Sequence, residues 1–119
     1  LMLVAVGGAL GAVLRHLLTH ICKTLFASSV YGTMSVNVIG SFLIGYFITY
    51  DFGNNLSENF IKFFLIIGLL GSFTTFSTFS YEVLDLINSK KYITSLTYIF
   101  ISIFICIIFA YLGTLLNKF

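Results

Sequence analysis

The stretch "GSFTTFSTFSYE", residues 71–82, combines aromatic and hydroxyl side chains in an unusual density. Its twelve residues include three phenylalanines and six serines or threonines, and it ends in a glutamate. Most of it lies within the uncharged run 63–81, which is long enough to cross a membrane. A lipid-facing helix gains nothing from so many hydroxyl groups, and an exposed loop gains nothing from so many rings. The stretch therefore indicates a polar path or binding site inside a membrane-spanning segment.

The composition of the chain is that of a membrane protein. Of its 119 residues, 59% are hydrophobic and 8% are charged, and the mean hydropathy is +1.08. A soluble domain of this length needs more charge to cover its surface. We predict an all-α membrane protein whose single domain, 1–119, has four transmembrane helices. These helices are placed near residues 2–22, 31–50, 61–82 and 93–116.

The basic residues give little bias of orientation. Four crossings would place Lys23, Lys90 and Lys91 on one side of the membrane and Lys62 and Lys118 on the other. So small a bias is expected of a chain that inserts in either orientation. Many transport sites are built from two inverted repeats, and the two halves of this sequence are not repeats of each other. An upside-down second copy would supply the missing half.

Several other patterns do not indicate a site. Cys22 and Cys106 lie far apart without a ligand spacing, and we interpret them as apolar fillers rather than a disulfide or metal pair. His16 and His20 have metal-ligand spacing but no third ligand, which favours interfacial histidines. The apolar start lacks a basic region and contains Arg15, so we do not expect a signal peptide. A net charge of +2 is too small for a nucleic-acid surface.

The first two helices each carry a side chain that is costly in a bilayer. Arg15 either extends to the interface or faces a polar vestibule. Asn37 either bonds to a neighbouring helix or donates to an ion in a pore. The residues alone leave both alternatives open.

The third helix is predicted to be interrupted, because Gly68 and Gly71 precede a run of hydroxyl residues. Unwound backbone in a membrane must line water or bind an ion. Beyond the interruption, Phe76 and Phe79 are three residues apart and share a face. Their rings either face lipid or present positive edges to an anion. The fourth helix carries a stripe of Ser95, Tyr98, Ser102 and Cys106, which is either a polar track or a set of side chains bonded to their own helix.

Three stretches together resemble the Fluc (CrcB) family of fluoride channels: "GGALGAVLRH" (7–16), "GTMSVNVIGSF" (32–42) and "GSFTTFSTFSYE" (71–82). The resemblance implies an antiparallel, dual-topology homodimer with two fluoride pathways in the cell membrane. It implies a passive, fluoride-selective channel that lets fluoride leave the cytoplasm and so confers resistance to it. The expected partners are fluoride, membrane lipid and a second copy of the chain, with no nucleic acid.

The resemblance also implies roles for individual residues. Phe76 and Phe79 match the phenylalanines whose ring edges contact fluoride, and Asn37 matches a pore-lining asparagine. Gly71 and Thr74 match the positions whose carbonyls, from two copies, hold a structural sodium ion on the dimer axis. The remaining expected pathway residues are Arg15 in the vestibule, Ser77, Thr78 and Glu82 on the third helix, and Ser102, then Tyr98, on the fourth. The tyrosine usual after that arginine is His16 here.

Two other functions fit parts of the pattern. A small dual-topology multidrug exporter needs a buried carboxylate in its first helix, and residues 1–14 contain none. A non-transporting scaffold subunit would explain the small residues that pack helices, but not the phenylalanines and hydroxyls of 71–82. We do not expect an enzyme, because no set of a nucleophile with a base, or of metal ligands, can be assembled.

Overall fold

The structure is a computed structural model that describes residues 1–53 and 57–118. Within these residues every regular element is a helix, as the sequence predicts. The elements are α1 (Met2–Phe26), α2 (Ser29–Thr49), a π-helix (Phe60–Leu70), α3 (Gly71–Phe73), α4 (Phe76–Asn88), α5 (Tyr92–Leu115) and a final 3-10 turn (Leu116–Lys118).

In the residues that the structure describes, four helical segments are long and apolar enough to cross a membrane, which confirms the predicted number of spans. They are Met2–Phe26, Ser29–Thr49, Phe60–Asn88 and Tyr92–Lys118. The first extends four residues past its predicted end at residue 22. Lys23 lies in its last turn, where a positive charge is favoured by the helix dipole, and Ala27 ends it with a left-handed backbone (φ 57°).

The backbone of the third span changes form within the stretch 71–82. The α3 helix ends at Phe73, and Thr74 and Thr75 have extended backbones (φ −84°, ψ 157° and φ −150°, ψ 118°). The α4 helix then begins at Phe76, with Thr75 as its N-cap because the Thr75 side chain accepts the N–H of Thr78. The hydroxyl residues of the motif therefore cap a helix within the span.

Glycines allow the helices to approach closely. On α1, Gly7 and Gly11 lie against the π-helix, and a Cβ at either would collide with a backbone carbonyl oxygen, that of Phe64 or that of Leu69. On the other side of the bundle α2 packs against α5. A Cβ at Gly113 would collide there with the carbonyl oxygen of α2 residue Phe42. The small residues of the first helix thus serve packing.

Much of the outer surface is apolar. Large side chains such as Phe76 (75% exposed) and Ile93 (81% exposed) project from the single chain. A surface of this kind fits lipid or another protein, since water would not favour it. Two of the cavities between the helices share the lining residue Thr75.

Candidate functional site

Cavity one, of about 360 Å³, lies between α2, the start of α4 and α5. It brings together several side chains that the sequence analysis placed in the fluoride pathway, namely Asn37, Phe76, Phe79 and Ser102. Thr74, predicted as a sodium position, lines it as well. Its other lining residues are Ser41, Ile44, Thr75, Ile103, Cys106 and Ile107. The cavity is therefore apolar with a few hydroxyl and amide groups, which suits a small polar ligand.

The amide of Asn37 forms two hydrogen bonds with the backbone of Thr75. Its Oδ1 accepts the Thr75 N–H at 2.8 Å, and its Nδ2 donates to the Thr75 carbonyl at 3.1 Å. Both backbone groups of an extended residue in the third span are thereby satisfied by one side chain. Of the two alternatives for Asn37, the structure shows bonding to a neighbouring helix, at the edge of a cavity.

Three aromatic rings are in contact one after another, and the first two of them line this cavity. The rings of Phe76 and Phe79 have centroids 5.5 Å apart and planes tilted by 42°. Phe79 in turn meets Tyr98 edge to face, with centroids 5.1 Å apart and planes at 64°. Phe79 is buried (7% exposed), whereas Phe76 is largely uncovered in the single chain. Phe76 is therefore placed to meet lipid or a second copy.

Two buried hydroxyl groups lie beside these rings without a hydrogen-bond partner in the described part of the chain. They are Tyr98 Oη and Ser102 Oγ, on residues that are 4% and 7% exposed. Leaving such a group unsatisfied costs about 1–3 kcal/mol, so proteins seldom do so without a reason. Ser102 lines cavity one, and its hydroxyl can donate to a ligand there.

Cavity two, of about 390 Å³, shares the lining residue Thr75 with cavity one and is basic. Arg15, His16, His20 and Lys23 of α1 all line it. The two imidazole rings are stacked, with centroids 6.2 Å apart. The remaining lining residues are Ala12, Thr19, Ser29, Thr33, Thr75 and Thr78. Arg15 thus faces a polar vestibule, and this vestibule favours anions.

Glu82 lies buried (5% exposed) between α4 and α2 and lines neither cavity. The Thr33 hydroxyl donates a hydrogen bond to Oε1 of Glu82, and the Ser29 hydroxyl donates one to Oε2 at 3.2 Å. The sequence analysis missed both partners. Their separation from Glu82 by 49 and 53 residues leaves no local spacing that would reveal them.

The structure does not bring every predicted residue to a cavity, and Tyr98 is among those that line neither. Ser77 lines neither, although its Oγ lies 3.3 Å from Thr75 Oγ1. Gly71 is exposed on the surface of the single chain and lines neither cavity. Thr75, which the sequence analysis did not assign to the pathway, lines both.

The carbonyls of Gly71 and Thr74 are suited to a hard cation. The N–H four residues after Gly71 belongs to Thr75, and it donates to Asn37 instead. The N–H four residues after Thr74 belongs to Thr78, and it donates to the Thr75 hydroxyl at 3.2 Å. Both carbonyl oxygens therefore lose their usual helical donors, and oxygen ligands are those that hard cations prefer.

Four membrane-spanning helices in the described residues, with cavities between them, define a multi-pass helical membrane protein. A family model described as "CrcB-like protein, Camphor Resistance (CrcB)" matches residues 2–114. The chain belongs to this family.

Its relatives include proteins that match it over nearly their whole length. A "Fluoride-specific ion channel FluC" of Campylobacter jejuni (strain 81-176) is 42% identical, with 99% of this chain and 97% of the relative covered. Proteins of the same name from Dehalococcoides mccartyi (strain CBDB1) and Methanococcus aeolicus are 39% and 37% identical. The alignments cover 99% and 98% of this chain and 95% and 94% of those relatives. These names describe ion channels rather than enzymes.

Proposed function

We propose that the chain forms a fluoride-specific channel. The observation that carries the proposal is the unpartnered, buried hydroxyl of Ser102, which lines cavity one together with the rings of Phe76 and Phe79. Fluoride is small and accepts hydrogen bonds strongly. Hydroxyl donors and positive ring edges can replace part of its water shell without offering a competing cation.

The environment of Glu82 agrees with an anion as the ligand. A free carboxylate beside the pathway would repel fluoride. Here Thr33 and Ser29 donate to both oxygens of Glu82 and disperse its charge. The basic side chains of cavity two, including Arg15 and Lys23, would raise the local concentration of anions at one end of the path.

Export through such a path needs no energy source. In acidic surroundings fluoride enters a cell as neutral HF and dissociates in the less acidic cytoplasm. The anion then leaves through the channel down its electrochemical gradient. A channel of this kind protects the cell against fluoride, which is the role we assign to the protein.

We propose further that two copies assemble antiparallel. Phe76 and Gly71 belong to the expected pathway and ion site, yet both are exposed in the single chain. A second copy would cover them, and inversion of that copy fits the small charge bias of the loops. Lipid would cover the remaining apolar surface.

A structural sodium ion at Gly71 and Thr74 is part of the same proposal. Their carbonyls have lost their helical donors, as described above, and those of two copies together would offer a set of oxygen ligands. The ion would supply a fixed positive charge near the midplane, which offsets part of the cost of bringing an anion there.

The growth of cells in fluoride tests whether the chain confers fluoride resistance. Cells that lack their own fluoride export should grow in fluoride at acidic pH when they express this chain, and cells with the empty vector should not. Resistance to cationic drugs without resistance to fluoride would indicate the multidrug exporter instead. Resistance to neither, with the protein present in the membrane, would favour the scaffold.

A further inference from the structure

Among the described residues, Thr75 is the one that lines both cavities. It lines cavity one with Phe79 and Ser102, and cavity two with Arg15 and Thr78. The residue itself is buried (6% exposed), so its side chain lies within the protein and not on the lipid-facing surface. A direct route from one cavity to the other would therefore pass this residue.

The hydroxyl of Thr75 keeps a hydrogen to donate. As the N-cap of α4 its oxygen accepts the N–H of Thr78 at 3.2 Å, while its O–H donates to Thr78 Oγ1, also at 3.2 Å. The nearest hydroxyl oxygens are those of Ser77 at 3.3 Å and Thr78 at 3.2 Å. Both distances are long for bonds between hydroxyls, which are most often about 2.7–2.8 Å. An anion would be a better acceptor than either.

Asn37 fixes the backbone that carries this hydroxyl. Its amide holds both the N–H and the carbonyl of Thr75, as described above. An ionised aspartate could accept the N–H but could not donate to the carbonyl, so this pair of hydrogen bonds requires an amide. Asn37 therefore acts on the path through Thr75.

A second observation indicates that a ligand reaches this point. Ser102, which is 7% exposed and lines cavity one, has an unpartnered hydroxyl among the described residues. It is a donor in cavity one. The basic groups of cavity two attract anions.

We propose that the Thr75 hydroxyl binds fluoride as it passes between cavity two and cavity one, and that Asn37 is a positioning residue for it. The inference rests on the proposed function and deepens it. The Thr75 O–H would donate its hydrogen bond to fluoride in place of the Ser77 or Thr78 hydroxyl. When fluoride leaves, the O–H would bond to those hydroxyls again. No bond other than a hydrogen bond forms or breaks.

Fluoride efflux from liposomes tests the role of Thr75. Thr75→Ser keeps the hydroxyl and the cap and should retain flux within about twofold, whereas Thr75→Val should lower it about tenfold or more. Ser28→Ala is the matched control, because Ser28 caps α2 by accepting the N–H of Val30 but lies outside both cavities. It should conduct normally. Wild-type flux in Thr75→Val would overturn the inference while leaving the channel function intact, and absence of flux in the wild-type chain would overturn both.

The positioning role predicts an interaction between two substitutions. Asn37→Ala should lower flux, and the double variant Asn37→Ala with Thr75→Val should be no slower than Thr75→Val alone. Loss equal to the product of the two single losses would show that Asn37 acts independently of Thr75. If Asn37 were needed only for folding, Asn37→Ala would lower the yield of intact protein. It would not make the effects of the two substitutions on flux non-additive.

If Thr75→Val does not fold, the rate of chemical modification at position 75 can be measured instead. Thr75→Cys, made together with Cys22→Ala and Cys106→Ala, should react with a small thiol reagent, and fluoride should slow that reaction severalfold more than chloride does. Equal rates in fluoride and chloride would contradict fluoride binding at this position.

Discussion

Phe79 and Tyr98 meet edge to face, with ring centroids 5.1 Å apart, and the hydroxyl of Tyr98 has no hydrogen-bond partner in the part of the chain that the structure describes. The contact joins the third span to the fourth, and Phe79 also lines cavity one. It fixes the orientation of a buried ring whose edges carry partial positive charge. In the proposed channel, fluoride passes along the edges of such rings and along nearby hydroxyl donors.

Replacing the rings should therefore impair conduction more than folding. Phe79→Ile and Phe76→Ile preserve bulk and apolar character but remove the positive edge, so fluoride flux should fall about tenfold or more in each. Efflux from liposomes measures this. Phe100→Ile is the control, since Phe100 stacks on Phe104 outside the cavities and should tolerate the change. Normal flux in both test variants would mean that the rings serve packing or face lipid.

The unpartnered hydroxyl of Ser102 predicts opposite effects on stability and flux. Ser102→Ala removes a buried group that has no partner within the described chain, so the melting temperature should stay the same or rise slightly. Fluoride flux should nevertheless fall, because a donor in cavity one is lost. Ser35→Ala, whose hydroxyl donates to Tyr31 of its own helix at 2.7 Å, should leave flux unchanged. A destabilised Ser102→Ala variant with normal flux would contradict the assignment.

The bonds to Glu82 predict a variant that loses stability. Thr33→Val keeps the shape of the side chain but leaves one oxygen of a buried carboxylate without its donor. The cost should be about 1–3 kcal/mol, seen as a lower midpoint of unfolding in detergent. Thr24→Val, which removes a hydroxyl that donates to the His20 carbonyl of its own helix at 3.0 Å, is the control for the same exchange and should change stability little. Unchanged stability of Thr33→Val would show that Glu82 finds another donor.

Gly71 offers a test of the second copy and the sodium ion. A Cβ there would meet only Ile66 O at 3.6 Å, an ordinary contact, and the backbone is helical (φ −62°). Gly8 is equally open, since a Cβ would meet nothing within 4 Å. Within one chain both alanine variants should be harmless. Gly71→Ala should nevertheless lower fluoride flux, because we place Gly71 at the dimer axis, and Gly8→Ala should not.

The sodium requirement has its own readout. Exchange of sodium for a large organic cation on both sides should reduce fluoride current slowly and reversibly, faster in Gly71→Ala than in the wild-type chain. Current that persists indefinitely after thorough removal of sodium would rule out the bound ion as a requirement.

The sequence predicted the spans well because hydropathy over about 20 residues reports membrane crossing directly. It did not predict the π-helix at Phe60–Leu70, since uniformly apolar residues carry no periodicity that distinguishes helix types. The sequence also did not predict the contacts of Glu82 with Thr33 and of Asn37 with Thr75. Both join residues in different spans, and only the packing of α2 against the third span brings them together.

The most direct test of the central claim is fluoride efflux from liposomes that contain the purified wild-type chain alone. With potassium inside, valinomycin to carry compensating charge and a fluoride electrode outside, the trapped fluoride should be released far faster than from empty liposomes. The same vesicles loaded with chloride should release almost none. Fluoride release no faster than from empty liposomes, or equal release of chloride, by protein shown to be intact would contradict a fluoride-specific channel.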